Sequence, residues 1–228
     1  MNKIDFISRL FGMDLEQLFH DLDKLKTPKE IDKYFHDIKS ITNRSDELTK
    51  LARLKIGGYK EFLEEFYPLY CFSKSKYCRE ASKMRIVIGN QGYDAVIIFN
   101  DGSEERYEIT GYQDGEWDKI NAKQLNETGA GIVNVEWVES IAEKQKKYLR
   151  KVMENVNNKA QKDYTGVNII FVVNTFDHFE IFDQDSNNFI NELIKAISDI
   201  NLRAKNIYLL RLRNCGIEEI DTNLFVVS

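Results

Sequence analysis

The chain is poor in the residues that announce a disulfide or metal framework. Its three cysteines, Cys71, Cys78 and Cys215, are an odd number with no metal-ligand spacing. They suit a reducing compartment, so a cytoplasmic location is expected. The three histidines, His20, His36 and His178, form no HxxxH or HxH pair, which argues against a histidine-based metal site. Two prolines in 228 residues exclude a proline-rich or collagen-like chain. No apolar run reaches the roughly 18 residues of a membrane helix. One of the longest, residues 167–173, is interrupted by Asn168. The opening stretch MNKIDFISRLFGMDLEQ carries acids among its apolar residues and no small-residue cleavage site, so it is not read as a secretory signal. A net charge of −5 argues against a broadly basic nucleic-acid coat but leaves room for a local basic face.

What is present is a globular composition, 43% hydrophobic and 30% charged, long enough to bury a sizeable core. Residues 1–56 read as an N-terminal helical segment. Leu10, Leu15, Leu18, Phe19, Leu22 and Leu25 recur at helical steps, and Thr27-Pro28 resembles a cap followed by proline at the first helical position. Ile31, Tyr34, Phe35 and Ile38 form the stripe of the second helix. These stripes pack on each other or on the main domain, or offer a surface to a protein partner. Gly57-Gly58 marks a boundary, and residues 57–228 form the second unit. It begins with a helix from Tyr59 that stops near Pro68.

Beyond this the period changes. Residues 84–88, 94–99 and 105–110 read as strands, and 111–131 as polar loop. A long helix spans about 135–163, followed by a strand at 168–173, a helix at 186–204 and a strand at 206–212. Strand–helix–strand crossovers imply parallel pairing, and the early hairpin adds antiparallel strands. The fold class is α/β: a mixed β-sheet flanked by helices.

The hairpin carries the chemistry. Asn100-Asp101-Gly102 suits a three-residue loop with glycine in the left-handed region. In that register Asp94 faces Glu108 on one face of the sheet, with Cα atoms about 4.5–5.5 Å apart. A two-residue loop at Asp101-Gly102 would pair Asp94 with Ile109 and separate the carboxylates. Adjacent like charges repel unless a cation lies between them. Mg²⁺ (or Mn²⁺) prefers oxygen ligands and uses one or two carboxylates with substrate phosphate. The opposite face, with Ala95, Ile97, Phe99, Tyr107 and Ile109, is apolar and should meet a helix. The structural alternative has Asp94 bonding a turn and Glu108 pairing with Arg106 or Arg85.

On the long helix Val138, Ile141, Tyr148, Leu149, Val152 and Val156 share one face. Gln145 falls in the middle of it and Lys144 at its margin. The helix start is expected beside the end of the strand carrying Glu108. Lys159 projects to the same face but stands about 14 residues further on, roughly 21 Å along a continuous helix, so it ranks behind them. A break near Asn157-Asn158 would change that. Lys144, Lys146, Lys147, Arg150 and Lys151 are either a solvated face or a phosphate-tracking surface. Gln91 is a loop residue or a substrate contact.

An acid opening one strand, a turn, and a second acid on the next strand, placed after a helix and before a helix–strand unit, resembles the PD-(D/E)XK nuclease superfamily. Asp94 matches the first acid and Glu108 the second; Tyr93 replaces the proline, and Thr110 stands in the usual lysine position. The resemblance implies a restriction endonuclease-like core and metal-dependent hydrolysis of phosphodiester bonds, in DNA before RNA. It implies a metal held by Asp94 and Glu108, with Glu65 as a further acid on the preceding helix, chosen over Glu61 and Glu64. Some members supply the missing group from the next helix, which assigns Gln145 or Lys144 to the catalytic water. Gln145-Lys-Lys-Tyr148 resembles a shortened glutamine–tyrosine motif on that helix. Lys147, Arg150 and Lys151 would contact phosphates. The competing expectation is a catalytically inactive nuclease-fold scaffold, which Thr110 favours. A homodimer stays open, and no membrane partner is expected.

Overall fold

The computed structural model describes residues 15–89, 91–111, 115–131, 141–174, 186–212 and 217–227. His178, Cys215, Leu10 and Val138 lie outside them, and of Lys144 only the backbone is described. Cys71 and Cys78 are free, buried thiols.

The chain enters through α1 (Leu15–Phe19), α2 (Pro28–Asn43) and α3 (Asp46–Arg53). The expected cap forms: the Thr27 N–H donates to the Glu30 carboxylate at 2.8 Å, and the Glu30 N–H donates to Thr27 Oγ1 at 3.3 Å. Proline follows, where its missing N–H costs nothing. Ile31, Phe35 and Ile38 are buried as the stripe requires. Just before α2, Lys26 and Met84 exchange backbone hydrogen bonds of 2.9 and 2.8 Å, so this segment covers the outer edge of β1. At the expected boundary, a Cβ on Gly58 would lie 2.5 Å from the Phe19 ring. Gly58 thus marks a close approach, and α1–α3 share one core with the sheet.

The helix after Gly58 does not stop at Pro68. It runs as α4 (Tyr59–Glu61), a π-helical stretch (Phe62–Phe66) and α5 (Tyr67–Ser73). Proline normally clashes with the carbonyl four residues back. The wider π turn, in which the Tyr67 N–H reaches back to the Phe62 carbonyl, makes room for the ring.

Six strands follow: β1 (Ala81–Ile86), β2 (Ala95–Phe99), β3 (Glu104–Gly111), β4 (Val167–Asn174), β5 (Ile207–Leu212) and β6 (Leu224–Val227). They lie side by side in chain order. β1–β2, β2–β3 and β5–β6 are antiparallel, and β3–β4 and β4–β5 are parallel. The mixed α/β sheet is therefore as expected, with β6 added at its edge. One face meets the helices from α1 to α5 through Met84, Ile97, Tyr107, Ile170 and Leu210. The other, through Ile169, Phe171, Val173 and Leu209, meets α7 (Ile141–Ala160) and α8 (Ser186–Ser198).

The expected loop at 111–131 contains a helix instead, α6 (Gly115–Thr128). Ala122 is its one buried residue among those whose side chains are described. Polar contacts hold it: Arg53 Nη1 to Asn126 Oδ1 at 3.1 Å and Asn126 Nδ2 to the Lys50 carbonyl at 3.1 Å. A helix with so little apolar surface leaves no periodic stripe to read. Helix α7 runs unbroken through Asn157-Asn158. Among the described residues, no helix is long and apolar enough to cross a membrane.

Candidate active site

The hairpin adopts the three-residue loop. Phe99 N–H bonds the Ser103 carbonyl at 2.9 Å, Gly102 N–H bonds the Phe99 carbonyl at 3.0 Å, and Gly102 has φ +84°. Asp101 Oδ1 fixes the turn by accepting from Ser103 N–H at 2.8 Å and Ser103 Oγ at 2.6 Å. The ladder pairs Ala95 with Tyr107 and Val96 with Arg106. Asp94 directly precedes β2; its N–H donates to the Tyr107 carbonyl at 2.8 Å, and its carboxylate lines the same cavity as Glu108. The two acids therefore share the face that the turn chemistry assigns them.

They open into a cavity of about 380 Å³ whose walls include Glu64, Glu65, Asp94, Glu108, Asn155 and Lys159. Glu64 and Glu65 come from the π-helical stretch, and Asn155 and Lys159 from α7. Such π turns recur at functional sites because they re-aim side chains. Here two helical layers from opposite faces of the sheet converge where β2 begins and β3 ends.

The electrostatics follow from that crowding. Asp94 has its pKa raised by burial, partly offset by the Ile109 N–H that Oδ2 accepts at 2.8 Å, and raised again by the Glu108 charge. Lys159 and Lys162 act in the opposite sense on Asp94. Burial pushes Glu65 up to about 7, with the Asp94 charge next in effect. Glu64 is tied to Lys55 at 2.9 Å. Glu108 is 7% exposed, and its Oε1 accepts from Lys159 Nζ and, at 3.3 Å, from the Tyr164 hydroxyl. Its partners are thus Lys159 and Tyr164, not Arg106 or Arg85. Thr110 Oγ1 reaches Asn155 Oδ1 at 3.4 Å, and Asn155 Nδ2 donates to the Gly111 carbonyl at 3.1 Å.

The lysine ranked last is therefore the one beside the carboxylates, and Gln145 does not line the cavity. Gln145 precedes Asn155 by ten residues, about 15 Å along a helix. The helix is anchored from its far end. Lys159 lies eight residues before Val167, and Val167 pairs with Arg106, two residues from Glu108. That short return to β4 pins the last turns of α7 beside the hairpin. The long segment between β3 and α7 lets the helix start elsewhere. Counting back from β4, rather than forward from β3, was the signal that selects Lys159. Nothing in the local sequence marks Tyr164 or Asn155.

The remaining expected contacts are dispersed. Lys147 and Arg150 are exposed; Arg150 and Lys151 both lie against Glu154, at 4.0 and 3.1 Å. Gln91 is exposed and donates to the Ile88 carbonyl at 3.3 Å, as a loop residue does. Among the described residues, no three His, Cys, Asp or Glu side chains are grouped closely enough to hold a metal ion by themselves. Glu65 shares the cavity with Asp94 and Glu108 without completing such a set. A pair of hard carboxylates on neighbouring strands still suits Mg²⁺ or Mn²⁺, which keeps waters and takes further oxygens from a phosphate.

No family model matches the chain, and no curated protein or solved structure does.

Proposed function

We propose that the protein is a metal-dependent nuclease that hydrolyses phosphodiester bonds, in DNA before RNA. The observation that carries this reading is the convergence of Asp94, Glu108 and Lys159 at one cavity, with the acids brought together by a hairpin of a mixed α/β sheet. It supports a restriction endonuclease-like core in which Lys159 of α7 fills the role left vacant by Thr110. Asp94 and Glu108 would hold Mg²⁺ or Mn²⁺. When bound, the cation supplies Lewis-acid polarisation of the phosphoryl oxygens and neutralises developing charge.

The chain's own groups do the rest. Lys159 Nζ stands where a cation can orient a water against the phosphorus and carry positive charge beside the developing anion. Tyr164 keeps Glu108 Oε1 engaged, which leaves Oε2 free to turn to the cavity. Glu65, with its pKa pushed to about 7, can hold or release a proton near neutral pH. Asn155 ties α7 to the end of β3 and fixes the distance between lysine and carboxylates.

A second reading, a nuclease-fold binding protein without catalysis, draws on the Lys159–Glu108 ion pair, which already neutralises one acid. Metal-dependent nicking of supercoiled plasmid separates the two. Wild-type protein with Mg²⁺ or Mn²⁺ is expected to nick, and Asp94→Ala and Glu108→Ala to lose at least about 100-fold, near 2.7 kcal/mol of transition-state stabilisation. Undiminished nicking by both variants removes these residues from the chemistry; no nicking by wild type under any metal supports the scaffold.

A further inference from the structure

The residues that read as phosphate contacts in the sequence sit on α7, and two of them are engaged with Glu154. A different set lies nearer the carboxylates. Arg85 on β1 pairs with Val96 on β2, which pairs with Arg106 on β3. All three side chains therefore point to one face, the face of Asp94 and Glu108. The two arginines are separated by two strand spacings, about 9–10 Å. Arg106 lies one same-face step, about 7 Å, from Glu108 along β3. That step is comparable to the advance from one phosphate to the next along an extended polynucleotide strand.

The surroundings of these cations also differ from those of the α7 cluster. Val96, between the arginines, is buried without joining either core, and Ile98 beyond it is half-buried. Among the described residues, the Arg85 and Lys162 side chains make no hydrogen bond or ion pair. Arg106 is exposed, and its guanidinium lies over the Tyr93 ring at 5.1 Å, next to Asp94 in the chain. Stacking holds the planar fork of an arginine ready for phosphate oxygens at little entropic cost. Glu104, 3.4 Å from Arg106 Nε, is the acid paired to this set. Lys162, in the turn after α7, adds a third cation, whose charge acts on Asp94.

We infer that the face of β1–β3 carrying Arg85 and Arg106, with Lys162 of the turn after α7 beside the carboxylates, binds the sugar–phosphate backbone of a polynucleotide and leads it to Asp94 and Glu108. This rests on the nuclease reading for its occupant, and charge complementarity with continuity into the cavity supports it. The bound strand crosses the hairpin rather than following α7.

The test is fluorescence polarisation with a labelled oligonucleotide in EDTA, where no cleavage intervenes, over a salt series. Single-stranded DNA, duplex DNA and RNA form the arms. Arg85→Ala/Arg106→Ala is expected to weaken binding about tenfold and to reduce the salt slope by about 1–2. Lys147→Ala/Arg150→Ala/Lys151→Ala is expected to stay within about twofold. Arg85→Lys/Arg106→Lys keeps the charge and should retain most of the affinity, which separates charge loss from misfolding. Wild-type affinity in the double alanine variant, a larger loss in the α7 variant, or no binding by wild type overturns the inference. Binding and chemistry fail separately: if wild type does not nick plasmid with Mg²⁺ or Mn²⁺ while Arg85→Ala/Arg106→Ala loses binding in EDTA, the nuclease reading falls and the binding face stands.

Discussion

Against one face of the sheet the helices lay down rings; against the other they lay down mostly branched aliphatic chains. On the first, Phe35 stacks on Tyr70 with centroids 4.1 Å apart, and Phe72 meets Tyr107 at 5.3 Å and Tyr208 at 5.1 Å. On the second, Val152, Val156, Ile169, Val173, Leu193 and Ile197 fill the space under α7 and α8. The aromatic side is the larger core and binds the N-terminal helices to the sheet. Its contribution to the cavity is a single π-helical turn bearing Glu64 and Glu65. The aliphatic side delivers Lys159 and Tyr164, which hold the Glu108 carboxylate, and Asn155, which ties α7 to the end of β3. One face is devoted to mass of burial and the other to placing polar groups, so substitutions on the two sides should fail in different ways.

The largest expected effect is on the aromatic side. Phe72 is fully buried between Tyr107, Tyr208 and Tyr77. Phe72→Ala should lower stability by about 3–5 kcal/mol, measured by urea unfolding; a change below 1 kcal/mol would show that this core does not hold the layers together. Next in size, Lys159→Ala should cut metal-dependent cleavage by about 100-fold, near 2.7 kcal/mol, while Gln145→Ala stays within about twofold. Equal losses in the two variants would erase the distinction between the start and the end of α7.

The pH response of Glu65 is smaller. Its folded pKa of about 7 lies above its ordinary value of 4.5. Between those values the folded chain binds more protons than the unfolded one, so stability falls as pH rises through this window and levels off above it. Glu65→Gln removes that dependence. The variant should gain about 1–2 kcal/mol over wild type at pH 8 relative to pH 4, a figure reduced for partial solvent exposure. A pH-independent difference would place Glu65 in an ordinary carboxylate environment. The smallest effect belongs to α6, which is tied by Asn126 to Lys50 and Arg53. Asn126→Ala should cost about 0.5–1 kcal/mol and speed amide exchange in α6 but not in α2. Unaltered exchange would mean that other contacts fix this helix.

Local chemistry was legible wherever one turn or one stripe decided the outcome. Thr27, Pro28 and Glu30 announce the start of α2, and they form the full reciprocal cap. The stripe of Ile31, Phe35 and Ile38 announces its buried side. Two boundaries were not legible for one reason: a neighbouring feature absorbed the signal. Pro68 is accommodated by the π turn before it, and α6 is held by amide and guanidinium contacts that leave no apolar period. The strand β6 is four residues long, too short to show alternation before it pairs with β5.

The sequence alone narrowed the carboxylate pair to a choice between two turns. An Asn-Asp-Gly turn can be closed by contacts within a few residues, and strand alternation then carries Asp94 and Glu108 to one face. The tertiary structure decided which cation meets them. Lys159 and Gln145 share a helix and a face, and no local rule prefers one. The choice follows from the parallel pairing of β3 with β4 and the short return from α7 into β4, contacts between residues some fifty positions apart. Such long-range registration is fixed by the packing of whole elements, which is why periodicity could find the helix and not its end.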